Sequence, residues 1–192
     1  MTDVSMPADA YSQYCLTYNV LGFGNPTMTT ITTSNLPADA LLQSYANSGA
    51  YTDCFIAEID RRVSHAEFVE AFYTSPIFRL ERWLLTALLW RLSTDRQARE
   101  MASGRLNEFA AWSVESRTPN QVLLASGRTR SWLMTSQPAP GSGGATTLYF
   151  GSAIVPHKRT GKLGWLYSSL LGFHKLYSRV LLWATKRRLD HR

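Results

Sequence analysis

The last 32 residues, Gly161 to Arg192, constrain this chain more than any other stretch, because they read as one long helix with an apolar face. At about 100° per residue, Leu163, Tyr167, Leu170, His174, Tyr177, Leu181 and Ala184 fall on one side, while Lys175, Arg179 and Lys186 cluster opposite. A terminal helix of that length needs a large apolar surface to lie on. The 192-residue chain is long enough to supply one from a single core, without disulfide or metal staples.

Alternating segments provide the surface. Met28 to Thr33 reads as a short strand and Tyr51 to Asp60 as a second, the latter with Cys54, Ile56 and Glu58 on one side and Phe55, Ala57 and Ile59 on the other. Pro37 stands where a short helix over 38–46 can begin. Ser64 and Glu67 have capping-box spacing, and Val63 and Phe68 hold the positions of a hydrophobic staple, so a helix is predicted from Ser64. Ser75-Pro76 restarts it as a second helix to about Leu92, and Ser93 or Thr94 caps a third that ends at Gly104. From Asn107 onward the period is two. Glu108 to Arg117, Gln121 to Ser126, Arg128 to Ser136 and Ala145 to Val155 read as four strands with short links, which implies an antiparallel meander. Residues 1–25, with Pro7, Gly22, Gly24 and three tyrosines but no regular period, read as an arm, and 26–192 as one domain.

Charge is distributed as a gradient beneath a net +6. The first 60 residues carry six acids and no Lys, Arg or His, whereas residues 156–192 carry nine Lys/Arg against Asp190 alone. A basic tail suits anionic lipid, nucleic acid or an acidic partner, and equally a solvated helix face whose cations complement the helix dipole. Trp165, Leu176 and Trp183 project beside the basic stripe, the pattern of a helix that touches a membrane, unless the acidic arm covers them. Peripheral contact of Lys175, Arg179 and Lys186 with an anionic membrane is therefore an expectation; a nucleic-acid partner is not. Cys15 and Cys54 are too few and too far apart for a disulfide framework or zinc site. No secretory signal and no apolar run near 20 residues is visible, so a cytoplasmic location is expected.

The order of elements (strand, helices, meander, one long terminal helix) resembles the START-like (SRPBCC, helix-grip) superfamily. The motifs within it resemble a bacterial domain of unknown function often fused behind short-chain-reductase-like NAD-binding domains. The matching stretches are 51–55, 109–115, 130–133 and, most closely, 161–167 running into Gly172-Phe173-His174-Lys175-Leu176. The resemblance implies an α+β fold, a curved antiparallel sheet wrapped around the C-terminal helix with a cavity between them, and binding of a hydrophobic or amphipathic, lipid-like molecule; some superfamily members are cyclases or hydrolases. No glycine-rich dinucleotide fingerprint follows any strand, so the reductase partner is missing, and no cofactor is expected.

His174 is the first candidate for chemistry, since it lies within an apolar helix face and a buried imidazole needs partners for both nitrogens. It is either a satisfied core histidine or a proton-transfer group working with Asp53 or Glu115. Strand parity puts Arg130, Trp132 and Met134 on one face, Trp112 and Val114 opposite Ser113 and Glu115, and Ser152 with Leu148, Phe150 and Ile154. Two readings stay open. Arg130 and the rings of Trp112 and Trp132 line a ligand cavity with Leu170, His174 and Tyr177, or Arg130 and Glu115 bridge on the solvent face. His65, His157, His174 and His191 are too scattered for a metal site. The expected function is a binding module, with a cyclase or hydrolase and a peripheral membrane adaptor as alternatives.

Overall fold

The structure, a computed structural model, describes residues 31–89, 93–138, 144–156 and 165–192, without the side chains of 81, 84–89 and 165–173. Twelve elements follow one another along the described chain: β1 (Thr32–Thr33), α1 (Gln43–Asn47), β2 (Tyr51–Ile59), α2 (His65–Tyr73), α3 (Pro76–Leu89), α4 (Asp95–Ala102), β3 (Glu108–Phe109), β4 (Trp112–Thr118), β5 (Gln121–Ser126), β6 (Thr129–Ser136), β7 (Thr146–Ile154) and α5 (Trp165–Asp190). The strands form one open antiparallel sheet in the order β1-β2-β7-β6-β5-β4-β3. The meander runs inward from β3 to β7, and β7 then docks on β2, closing a connection that spans the three middle helices. The protein is an α+β sheet with a long C-terminal helix, an arrangement compatible with the helix grip.

Both faces of the sheet are covered. The inner face buries Phe55, Ala57 and Ile59 of β2, Val122 and Leu124 of β5, Leu133 of β6 and Leu148 and Phe150 of β7 against α2, α4 and α5. Rings from α2 and α3 thicken this core: Phe72 lies 4.8 Å from Phe150 and Tyr73 4.7 Å from Phe78 between centroids. The outer face buries Cys54, Leu123, Trp132, Met134 and Ala153 beneath Ala40 and Leu42 of the segment that leads into α1. Gly151 makes that second core possible. A Cβ there would lie 2.8 Å from the Asp53 carbonyl and 2.9 Å from the Trp132 ring.

Several local expectations change in detail. Ser64 does cap α2, its hydroxyl accepting the Glu67 N–H at 3.2 Å, but the Glu67 carboxylate turns to Arg61 at 2.8 Å instead of back to the cap. The same Arg61 nitrogen donates to the Leu189 carbonyl at 2.8 Å, so the start of α2 is tied to the end of α5. A complete capping box forms instead at Thr94 and Gln97. The strand expected from Glu108 to Arg117 is broken into β3 and β4, because the chain reverses at Ala110 with φ 55°, and Phe109 pairs with Trp112. No Gly, Pro, Asn or Asp marks that reversal, so an alternating pattern reads straight through it. The arm at 1–25 and the first residues of the expected terminal helix lie outside the described residues.

Candidate functional site

A cavity of about 270 Å³ opens between the inner face of the sheet and α5. Its apolar walls are Phe72 and Phe78 from the middle helices, Trp112 and Phe150 from the sheet, and Tyr177 and Leu181 from α5. Its polar lining follows from strand register. Ser126 of β5 opposes Thr129 of β6, Ser131 of β6 opposes Ser152 of β7, and Ser152 opposes Asp53 of β2. Since cross-strand partners project to the same side, these side chains make a polar seam across the sheet, and it ends beneath His174.

At that end three groups converge. Asp53 Oδ1 accepts the Ser152 backbone N–H at 3.0 Å and the Ser152 hydroxyl at 2.7 Å. His174 Nε2 lies 2.7 Å from the Ser152 oxygen and 3.5 Å from Asp53 Oδ2. With the serine proton directed at the carboxylate, the Ser152 oxygen accepts from His174, which places a proton on Nε2. The order is thus histidine to serine to aspartate. In a nucleophilic triad histidine takes the serine proton, whereas here it gives one. Tyr51 adds a fourth group, its hydroxyl 3.3 Å from Asp53 Oδ2, and burial together with the Asp53 charge raises its pKa, so it stays a donor.

The sequence-predicted residues divide between the two faces. His174, Asp53, Trp112 and Tyr177 meet at or beside the cavity. Trp132 does not: it is fully buried on the outer face and donates Nε1–H to Gln121 at 2.9 Å. Glu115 is also on the outer face, where it pairs with Arg130 at 2.6 Å and accepts from the Tyr45 hydroxyl, so it is no partner for His174. Arg130 borders the cavity, but its guanidinium is held by Glu115, by Tyr45 at 2.7 Å and by the Gly127 and Thr129 carbonyls at 3.0 and 3.2 Å. The bridge between Arg130 and Glu115 spans β5, helped by a register shift between Val114 and Ser116. The Leu170 side chain lies outside the described residues. Ser152, which links His174 to Asp53, was signalled only by its parity with Phe150.

Of the basic stripe, Lys186 pairs with Asp190 at 2.7 Å and Arg179 donates to the Ile31 carbonyl at 3.1 Å, while Lys175 is exposed. Leu176 and Trp183, one heptad apart on the outward face of α5, are 60% and 42% exposed. Among the described residues no helix is long and apolar enough to cross a membrane, and no group of three or more His, Cys, Asp or Glu converges as a metal site. Cys54 is a buried free thiol whose pKa is pushed up to about 12 by burial and by the Asp53 charge, which makes it inert as a nucleophile. No protein-family model matches the chain, and no significant match was found among curated proteins or solved structures.

Proposed function

We propose that this chain is a binding module that holds a small, largely apolar molecule between the inner face of its sheet and α5. The cavity carries the reading: aromatic and aliphatic walls with a few hydroxyls and one imidazole are the composition of a small-molecule pocket. Its volume of about 270 Å³ lies just under the roughly 300–1,000 Å³ usual for such pockets, which favours a compact ligand over a long-chain lipid. Membership of the START-like superfamily is part of the same proposal, supported by the strand order and the helix packed across it. Native mass spectrometry of protein purified from its own host tests it. A small-molecule mass that leaves on denaturation is expected; a bare chain, with no thermal upshift from a panel of compact apolar compounds, sinks the reading.

One observation favours an enzymatic version. Asp53 lies 3.5 Å from His174, near enough to stabilise an imidazolium formed when Nδ1 takes a proton from a bound molecule. The chemistry would be acid/base transfer, as in a cyclase or hydrolase, without a covalent serine intermediate. In that version His174→Gln keeps ligand binding and abolishes turnover.

The outward face of α5 supports a further contact, with anionic membranes. Leu176 and Trp183 supply apolar anchors and Lys175, Arg179 and Arg187 the surrounding charge.

A further inference from the structure

Leu176, Arg179, Trp183 and Arg187 follow one another at helical spacing on the outward side of α5, and all four are exposed. The Arg187 guanidinium lies 5.5 Å from the Trp183 ring centroid, and Lys175 borders the stripe at its other end. Among the described residues no carboxylate forms a salt bridge with Lys175, Arg179 or Arg187, whereas Lys186 is paired with Asp190. Two large apolar side chains beside three unbalanced cations suit an apolar partner that is acidic and brings no cation of its own. The described chain begins against the middle of this stripe: Arg179 donates at 3.1 Å to the carbonyl of Ile31, the first described residue. Strand β1 then runs antiparallel to β2, with Thr32 opposite Ile56 and Thr33 opposite Phe55. Beyond its end at Ile59, β2 leads to Arg61, which donates to the Leu189 carbonyl of α5 at 2.8 Å.

We propose that the occupant of this stripe is the chain's own N-terminal segment, residues 1–30, with the stretch from Tyr11 to Phe23 laid on Leu176 and Trp183. Residues 1–30 lie outside the described residues, and their composition is the complement the stripe asks for. They hold Asp3 and Asp9 but no Lys, Arg or His, and between Tyr11 and Phe23 they carry Tyr14, Leu16, Tyr18 and Leu21. The point of entry also fits. In the register of β1, the residues before Ile31 run along β2 toward Ile59, and so toward the end of α5 that holds Trp183 and Arg187. Residues 24–30 can span about 25 Å, more than the roughly 17 Å of helix from Leu176 to Arg187. A tether that short holds the segment at about millimolar local concentration, enough to keep a weak contact closed. Aromatic and aliphatic side chains then cover the apolar part of the stripe, while the two aspartates approach Lys175, Arg179 and Arg187.

The test uses the full chain at low salt and without vesicles, so its failure leaves the membrane contact of the same stripe untouched. Cys15 takes a nitroxide label, since Cys54 is buried. The Trp183 indole N–H resonance, assigned by its loss in Trp183→Phe, should broaden with the oxidised label and recover when ascorbate reduces it. A mixture of labelled chain with unlabelled ¹⁵N-enriched chain should show no broadening. Broadening in the mixture would mean that the segment of a second copy lies on α5, and would overturn the proposal. On unlabelled protein, chymotrypsin should cut after Tyr11, Tyr14 and Tyr18 about fivefold faster in the double variant Lys175→Glu with Arg187→Glu, at unchanged thermal unfolding. Adding Asp3→Lys and Asp9→Lys should bring the rate back to that of the wild type. An unbroadened Trp183 resonance, or cleavage no faster after the charge reversal, would show that residues 1–30 do not lie on α5.

Discussion

Ser152 stands directly opposite Asp53 on the neighbouring strand and gives the same carboxylate oxygen two hydrogen bonds, from its backbone N–H at 3.0 Å and its hydroxyl at 2.7 Å. Asp53→Asn keeps the shape but places an amide among donors, and should cost about 1–3 kcal/mol in urea unfolding. Ser152→Ala removes only the hydroxyl and should cost nearer 1 kcal/mol. The double variant should lose less than the two single losses added together, because both act on one network. Strict additivity would show that the network is not coupled.

His65 gives a pH dependence of known sign. It is 8% exposed, its Nε2 lies 3.3 Å from the Leu133 carbonyl, and burial lowers its pKa from 6.5 to about 4. The folded protein resists protonation that the unfolded chain accepts, so stability is fully present above about pH 6.5 and is lost as pH falls from there through 4. The loss should be on the order of 3 kcal/mol. Unfolding of His65→Gln should show a flatter profile across that window; an unchanged profile would assign the effect elsewhere.

Leu181 lines the cavity from α5 and is nearly fully buried. Leu181→Ala should cost about 2–5 kcal/mol, as for other core leucines. A loss under about half a kcal/mol, typical of surface sites, would mean α5 does not dock on the sheet as described.

Gly151→Ala would set a methyl within 3.0 Å of Asp53 backbone, the Trp132 ring and Leu42 together. Overpacking of this kind costs about 1–3 kcal/mol. The indole N–H of Trp132 reports the event, since a displaced ring lengthens its bond to Gln121.

The outward face of α5 predicts co-sedimentation with anionic liposomes that weakens as salt shortens the screening length from about 10 Å toward 3 Å. Leu176→Ser with Trp183→Ser should remove most of it, with little change in thermal stability. Indifference of the wild-type protein to anionic vesicles at low salt would eliminate the membrane contact.

How much of this was legible in the sequence depends on which interaction decided each feature. Periodicity set Phe55 against Cys54 and gathered His174, Tyr177 and Leu181 on one helix face, and the structure keeps both groupings. Parity also grouped Arg130 with Trp132 and Ser152 with Phe150, but parity has no sense of inside and outside. That was decided by residues 36–50, a weakly patterned segment that covers the outer face and buries Trp132 there. The meeting of Asp53 and Ser152 depends on β2 pairing with β7, elements separated by the helices and the whole meander, so no local signal could disclose it.

Gly151 also limits where the protein can yield. Strand β7 carries Phe150 and Ser152 on its cavity side, while its other side is pressed by Trp132 and Leu42 with no spare distance. A ligand too large for the resting volume cannot push this strand outward without unpacking the second core. The sheet side of the site is therefore an unyielding wall, braced from behind by the packing of Trp132 and Leu42.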